Sequence, residues 1–350
     1  MIANNVTATV STRNRMHTTM PLMLVSLLNR TVKPCKLIIY DDNDTLEDLR
    51  NNEIYQNIFG LLERSGIGWE VNVGARKGQI HNHQRALQEV KTEWIWRLDD
   101  DNILDANVLE GMLQAVQNNP KIGAVGPLIL NPKRHDEFLL ASNKIEDVFL
   151  GINIQWCQTH KQTHVQVDHL QGSTFMFRKE AAKHGYEMKL SRPAHREETI
   201  FTYEIKRAGW DVVVLTYLKT WHMRYGSGGI RTSDMHIEKH FIDDDRVFRN
   251  KLNEWGVKAR AVKIVPLDNG IGDHYALKTA FKDVFKTNTR VIIGACYPEV
   301  FSDVENVELI SLQNCKSLLK NPDDYSIYKW MDKNNWKQSV VLAFKKMYNV

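Results

Sequence analysis

The sequence lacks the features that mark membrane-spanning and disulfide-bonded proteins. Its longest apolar run, around Pro21–Leu28, is much too short to span a bilayer. Only four cysteines occur, far apart and without metal-ligand spacing, which favours reduced thiols; they are Cys35, Cys157, Cys296 and Cys315. The N-terminal residues show no signal-peptide pattern and lead straight into a predicted strand. We therefore expect a soluble, cytoplasmic protein.

A strong charge of either sign is also absent. The 46 basic and 42 acidic side chains give a net charge of +4, and no run of five basic residues occurs. Such a mild excess suits a small anionic substrate, and it excludes a basic nucleic-acid-binding tail. With 350 residues, 43% of them hydrophobic, the chain can form one large domain or two.

Three consecutive carboxylates follow a predicted buried strand. Residues 93–98 are mainly apolar and aromatic, and Asp99, Asp100 and Asp101 come directly after them. In an extended chain Asp99 and Asp101 point one way and Asp100 the other. Adjacent carboxylates repel each other, and a divalent cation makes such a cluster favourable. The alternative is a solvated acidic turn, but the buried strand before it favours a metal site.

Other polar clusters fall at the ends of predicted strands. A strand ending in a polar loop over 6–15 is followed by strands over 36–40, 69–73 and 93–98. These strands alternate with helices, including one over 45–64, and this β-α-β order predicts a parallel sheet. In parallel sheets ligands bind at the carboxyl ends of the strands. The clusters that follow the strands are Ser11–Arg15, Asp41–Asp44, Arg76–Gly78 and Asp99–Asp101. Their shared position predicts one binding site.

In this order and spacing, these clusters resemble the nucleotide-sugar half of family 2 glycosyltransferases of the GT-A fold. The resemblance covers about the first 225 residues. It implies a GT-A domain over residues 1–255, with a Rossmann-like, mostly parallel sheet. It also implies metal-dependent, inverting transfer of a sugar from a nucleotide diphosphate sugar, with a UDP-sugar as the expected donor.

The resemblance implies roles for individual residues. Asp99, Asp101 and His222 are expected to bind Mn²⁺ or Mg²⁺. Asp42 is expected to accept a hydrogen bond from uracil. The residues expected to bind the nucleotide sugar are Thr12, Arg13, Asn14, Asp42, Arg76, Lys77, Gly78, Asn82, Asp100, Arg224 and Arg231, the last two as part of a closing loop.

The catalytic base is expected where a helix begins, at Glu197 and Glu198. Carboxylates in a first helical turn are favoured by the helix dipole, which could alone explain both. The resemblance to the family's catalytic motif favours Glu198 as the general base, with Glu197 as the second choice.

Residues 256–350 form a second predicted domain, small and of α/β, Rossmann-like type. A strand over 261–267, a loop over 268–274 and a helix over 276–285 resemble the start of a GT-B heptosyltransferase-like chain of family 9. Because only about half of that fold is present, we expect an accessory domain, with a homo-oligomer as one possible role.

The sequence leaves two classes of acceptor as alternatives. A saccharide is the expectation that the resemblance implies, and a hydroxymethylated base in DNA is the alternative. A different functional class, a protein that binds a nucleotide sugar without catalysis, is a further alternative. The acidic triplet together with Glu198 and His222 argues against it.

Overall fold

The chain divides into two compact units, Met1–Val257 and Lys258–Val350, in a computed structural model. The structure describes residues 1–45, 47–73, 76–132, 142–150, 154–156, 162–170, 172–223, 226–229, 236–287, 289–319 and 325–350. Within these residues no helix has the length and apolar character needed to cross a bilayer.

The first unit alternates strands and helices along the chain. Its strands are β1 (Ile2–Thr12), β2 (Lys33–Asp41), β3 (Gly68–Val73), β4 (Trp94–Asp99), β5 (Asn102–Leu104), β6 (Ile122–Leu130), β7 (His164–Val167), β8 (Thr174–Arg178) and β9 (Asp211–His222). Its helices are α1 (Thr19–Leu28), α2 (Glu53–Arg64), α3 (Gln79–Glu89), α4 (Val108–Asn118), α5 (Glu197–Arg207) and α6 (Ile237–Glu254).

These strands form one sheet in the order β3-β2-β1-β4-β8-β6-β9-β5, with β7 paired to β9. Strands β1 to β4 are mutually parallel, because each connection between them passes through a helix. Strand β8 then runs antiparallel between β4 and β6. The predicted fold class, an α/β protein with a Rossmann-like parallel half-sheet, is confirmed.

Strand β1 ends at Thr12, inside the range 6–15 that was predicted to be a strand ending in a polar loop, and Asn14 in that loop takes a left-handed φ of 56°. Two predicted boundaries were wrong. The helix expected over 45–64 begins only at Glu53, where the Asn52 side chain accepts a hydrogen bond from the Ile54 amide and caps it. In the second unit, the helix expected from residue 276 begins at Ile271, so that most of the expected loop is helical.

The second unit has a separate small sheet and core. Strands β10 (Val262–Leu267), β11 (Arg290–Ala295) and β12 (Val307–Ile310) are parallel. Its helices are α7 (Ile271–Ala280), α8 (Leu312–Ser317), α9 (Ile327–Lys333) and α10 (Val340–Tyr348). Buried apolar side chains such as Phe281, Ile293 and Phe344 pack between the sheet and the helices.

A buried hydrogen bond joins the strand that carries the acidic triplet to its antiparallel neighbour. Trp96 of β4 donates its indole N–H to Thr174 Oγ1 of β8 over 3.1 Å, and both side chains are fully buried. The indole ring has one N–H donor and no acceptor, and in this buried position the N–H depends on Thr174 Oγ1 for its hydrogen bond. The bond therefore holds the two strands in register beside the triplet.

Replacing Thr174 with valine should lower the free energy of unfolding by about 1–3 kcal/mol, since the shape is kept while the indole N–H loses its acceptor. Urea denaturation measures this change. The control is Thr31→Val, which removes an exposed hydroxyl bonded to Glu110 and should change stability by about 0.5 kcal/mol or less. Equal losses in both variants would contradict the proposed importance of this buried bond.

Candidate active site

A cleft of about 410 Å³ opens at the carboxyl ends of the parallel strands. Side chains from β1, β2, β4, β9 and the first turn of α5 line it, as the parallel topology requires. Its lining includes Ser11, Thr12, Arg13, Arg15, Asp42, Gln79, His83, Arg97, Asp99, Asp100, Asp101, Trp156, Ser173, Glu198 and His222. Several predicted site residues therefore do meet in one place.

Two carboxylates and one imidazole converge in this cleft. Strand β4 ends at Asp99, and the chain turns through Asp101 into β5, where Asn102 pairs with His222 of β9. One ligand atom each from Asp99, Asp101 and His222 lies within 4.8 Å of the others. Asp99 and Asp101 thus share a side as predicted, but a turn rather than an extended strand brings them together.

The pKa values of the three carboxyl groups in the triplet are shifted in different directions. Burial raises the pKa of Asp99 to about 6, and the charge of Asp101 adds to this effect. Burial also raises the pKa of Asp100. For Asp101, burial is outweighed by His222 and Arg15, which hold the pKa below its ordinary value. The crowded negative charge therefore depends on neighbouring cations.

Arg15 and Thr12 hold Asp100 on the far side of the turn. Thr12 Oγ1 donates to Asp100 Oδ2 over 2.7 Å, and Arg15 Nη1 donates to Asp100 Oδ1 over 2.6 Å. Arg15 Nη1 also lies 2.9 Å from Asp101 Oδ2. Arg15 was not among the residues predicted to bind the donor, although a basic side chain just beyond a strand end was a usable signal.

The second expected binding cluster forms around the end of β2. The Asp42 carboxylate lines the cleft and accepts a hydrogen bond from the Arg76 amide over 3.0 Å. Asp44 pairs with Arg13 over 3.0 Å and accepts from Asn14 Nδ2 over 2.6 Å. These bonds join the loops after β1 and β2 at one wall of the cleft.

Five expected donor-binding residues are not part of the cleft lining: Asn14 and Arg76, whose contacts are given above, and Lys77, Gly78 and Asn82. The Lys77 side chain is exposed to solvent. Asn82 is buried in α3 and donates to Ser11 Oγ over 2.9 Å, so it supports a cleft residue from behind. Gly78 has a φ of 101°, and an added Cβ would lie 2.5 Å from the Arg192 carbonyl oxygen. Its role in this structure is to allow the turn that enters α3.

The two glutamates at the start of α5 occupy different environments. Neighbouring residues on a helix diverge by about 100°, so they cannot both face the cleft. Glu198 lines the cleft. Glu197 is buried, and its Oε1 lies 2.5 Å from Arg97 Nη1. Burial raises the pKa of Glu197, while the charge of Arg97 favours its ionised form.

Arg97 is the second functional candidate that sequence reasoning missed. It stands in the otherwise apolar β4, and its side chain is only 3% exposed. Burial opposes its charge, but the carboxylates of Glu197 and Asp99 outweigh this and raise its pKa. Because arginine is almost never fully buried without a partner, its place in an apolar strand was the available signal.

The glycine-rich segment after β9 borders the same cleft. Gly226, Gly228 and Gly229 line it, and the Gly229 amide donates to the Arg13 carbonyl over 2.7 Å. Arg224 and Arg231, expected to cover the diphosphate, lie outside the described residues. The structure thus describes part of the expected closing segment, docked on the loop after β1.

Comparison with known families agrees with this geometry. Residues 67–236 match the model of a family described as glycosyltransferase like family 2. This segment belongs to that family. It contains the acidic triplet, Glu198 and His222, and it confirms the predicted glycosyltransferase class for the unit Met1–Val257, called the glycosyltransferase unit below. The heptosyltransferase-like resemblance of the second unit stays a prediction.

Two solved structures show a general similarity to the chain. GalNAc-T7 with UDP, GalNAc and Mn²⁺ has 14% identity and a TM-score of 0.49, covering 80% of this chain and 51% of that one. The mannosyltransferase PcManGT from Pyrobaculum calidifontis with GDP-Man and Mn²⁺ has 12% identity and a TM-score of 0.47, covering 70% and 64%. The chain thus spans about half the length of the first structure and under two thirds of the second. No curated protein matches the sequence.

Replacing Gly228 with alanine should loosen the glycine-rich segment of the glycosyltransferase unit. Its φ is 74°, and a Cβ would lie 2.4 Å from the Asn14 carbonyl oxygen. The strained backbone should speed hydrogen exchange of the Gly229 amide roughly tenfold or more. Hydrogen–deuterium exchange measures this rate.

The control is Gly226→Ala, because a Cβ at Gly226 meets nothing within 4 Å. Unchanged exchange in Gly226→Ala and faster exchange in Gly228→Ala are expected. The same exchange rate in both variants would show that the contact with Asn14 does not hold the segment.

Proposed function

We propose that the glycosyltransferase unit transfers a sugar from a nucleotide diphosphate sugar to an acceptor, with inversion at the anomeric carbon. One observation carries this proposal: a single cleft holds both the Asp99–Asp101–His222 group and the separate carboxylate of Glu198. Its volume of about 410 Å³ suits a small-molecule ligand. The family match supports the same reaction class.

The residues of the cleft fit a divalent cation. Asp99 and Asp101 offer carboxylate oxygens and His222 offers a ring nitrogen, a donor set that suits Mn²⁺ and, through its oxygens, Mg²⁺. When bound, the ion supplies positive charge next to the diphosphate leaving group. Arg15 already places one cation beside Asp100 and Asp101, so this part of the cleft attracts phosphate once the carboxylates are neutralised.

The wall around Asp42 is the proposed nucleotide-binding region. The Arg76 amide orients the Asp42 carboxylate at the cleft, where it can accept the N3–H of uracil. Arg13 and Thr12 line the neighbouring surface, on the side of the ribose. This arrangement supports a UDP-sugar as donor, and a guanine nucleotide, which also presents N–H groups, is the competitor to test.

Glu198 is the proposed general base. As the acceptor oxygen forms its bond to the anomeric carbon, the bond from that carbon to the diphosphate oxygen breaks. The acceptor proton passes to the Glu198 carboxylate, and the nucleoside diphosphate leaves. A single displacement of this kind inverts the anomeric centre. The buried pair of Glu197 and Arg97 leaves Glu198 as the carboxylate of α5 that can reach an acceptor.

A saccharide is the proposed acceptor. Trp156 lines the cleft, with its ring centroid 5.8 Å from that of His222, and gives it an apolar aromatic wall of the kind that packs on a sugar. A modified DNA base remains a prediction of the sequence alone.

We propose an accessory role for the second unit. The Asp273 carboxylate accepts a hydrogen bond from Tyr328 over 2.8 Å, which supports a structural role for this residue of α7. A homo-oligomer through this unit stays a prediction.

The replacement Glu198→Gln tests the proposed mechanism. It keeps the shape and removes the proton acceptor, so kcat for sugar transfer should fall roughly 10²- to 10⁴-fold while donor affinity barely changes. Transfer is measured with UDP-sugars and GDP-sugars against a panel of saccharide acceptors, and donor affinity by calorimetry.

The matched control is Glu53→Gln, which alters an exposed carboxylate in the first turn of α2 and should leave kcat unchanged. Transfer by Glu198→Gln at the wild-type rate would reject Glu198 as the base. Donor binding without hydrolysis or transfer in the wild type, across all donors, would favour the non-catalytic reading instead.

A further inference from the structure

Arg97 is a buried cation that lies between two carboxylates of different function. Its Nη1 is 2.5 Å from Glu197 Oε1, and its Nη2 is 3.6 Å from Asp99 Oδ1. The first distance is that of a close ion pair, and the second leaves the guanidinium group beside the carboxylate but too far away for a hydrogen bond. Arg97 is therefore held by Glu197 and stands next to Asp99 without bonding to it.

The two carboxylates differ in their access to the cleft. The Glu197 side chain is fully buried, whereas that of Asp99 is 31% exposed and lines the cleft. The Phe175 ring, 5.3 Å from the guanidinium carbon, packs against Arg97 and limits where it can move. A guanidinium group stays charged at any physiological pH, and in a buried place it must have an anionic partner.

This arrangement creates a competition for Asp99. A metal ion and Arg97 would both use the same carboxylate oxygens, and an arginine that bonded to Asp99 would lower its affinity for the metal. In the structure the guanidinium group is paired with Glu197 instead. Groups behind the ligands of a metal commonly change its affinity by 10- to 100-fold, which sets the size of the effect to look for.

We propose that Glu197 is a positioning residue that engages Arg97 and so leaves Asp99 available to the metal–diphosphate of the donor. This inference rests on the proposed function, in which Asp99 is a metal ligand. It assigns a role to Glu197, whose carboxylate does not line the cleft. It also links the start of α5, which carries the proposed base Glu198, to the end of β4.

The test measures UDP binding by calorimetry with and without Mn²⁺, so it does not depend on turnover. In the wild type, Mn²⁺ should strengthen UDP binding. In Glu197→Leu and, more weakly, in Glu197→Gln, this enhancement should shrink roughly tenfold, because Arg97 turns to Asp99. UDP affinity without Mn²⁺ should stay the same and shows that the variants are folded.

The deciding variant is the double replacement of Arg97→Met with Glu197→Leu. It removes the buried pair together, which proteins often tolerate when the replacements are apolar. Because no cation then competes for Asp99, the double variant should recover the wild-type Mn²⁺ enhancement. A merely structural role for Glu197 would not produce this recovery. The control Glu53→Gln, an exposed carboxylate in the first turn of α2, should keep the wild-type enhancement throughout.

Two results would overturn the inference while leaving the proposed function in place. One is a wild-type Mn²⁺ enhancement in both Glu197→Leu and Glu197→Gln. The other is a double variant that loses as much enhancement as the single ones. If Mn²⁺ has no effect on UDP binding even in the wild type, the metal part of the proposed function fails, and this inference fails with it.

Discussion

The glycosyltransferase unit depends on the neutralisation of carboxylates crowded at the end of β4. Asp99, Asp100 and Asp101 follow one another at the rim of a buried strand, where repulsion between them is only weakly screened. Arg15 bonds to Asp100 and Asp101, and His222 lies 3.1 Å from Asp101. The charge of Arg15 and the contact with the His222 imidazole let the triplet sit at the rim of a hydrophobic core.

Each neutralising group comes from a different element, so the charge cluster also fixes the architecture around the cleft. Arg15 comes from the loop after β1 and His222 from the end of β9. Arg97 projects from β4 itself and binds the first residue of α5, which places Glu198 at the cleft. The proposed nucleotide-binding wall, the proposed metal-binding group and the proposed base are therefore connected through a few ion pairs.

Much of the parallel half of the sheet could be predicted from the sequence. Apolar runs alternating with helices, each followed by polar residues, place Asp42 and Asp99 at one sheet edge, and the structure does bring them to one cleft. Pattern alone fails where single side chains decide the local structure. The Asn52 cap, for example, makes α2 begin at Glu53 instead of near residue 45.

Arg15 and Arg97 show the limit of sequence reasoning at the site. Their partners, Asp100 and Glu197, are 85 and 100 residues away along the chain, and only the three-dimensional fold shows which carboxylate each one binds. In the same way, helical spacing shows that Glu197 and Glu198 must diverge, but not which of them is buried. These long-range contacts are what the structure adds to the sequence pattern.

Asp99, Asp101 and His222 are proposed to bind the metal ion that also binds the donor diphosphate. Pulsed electron paramagnetic resonance of Mn²⁺ with UDP and the protein can detect the nuclei bound to this ion. We expect a ³¹P coupling from the diphosphate together with a ¹⁴N coupling from a bound imidazole, the latter lost in His222→Ala. A ³¹P coupling without any ¹⁴N coupling in the wild type, or a ¹⁴N coupling that persists in His222→Ala, would contradict this proposal.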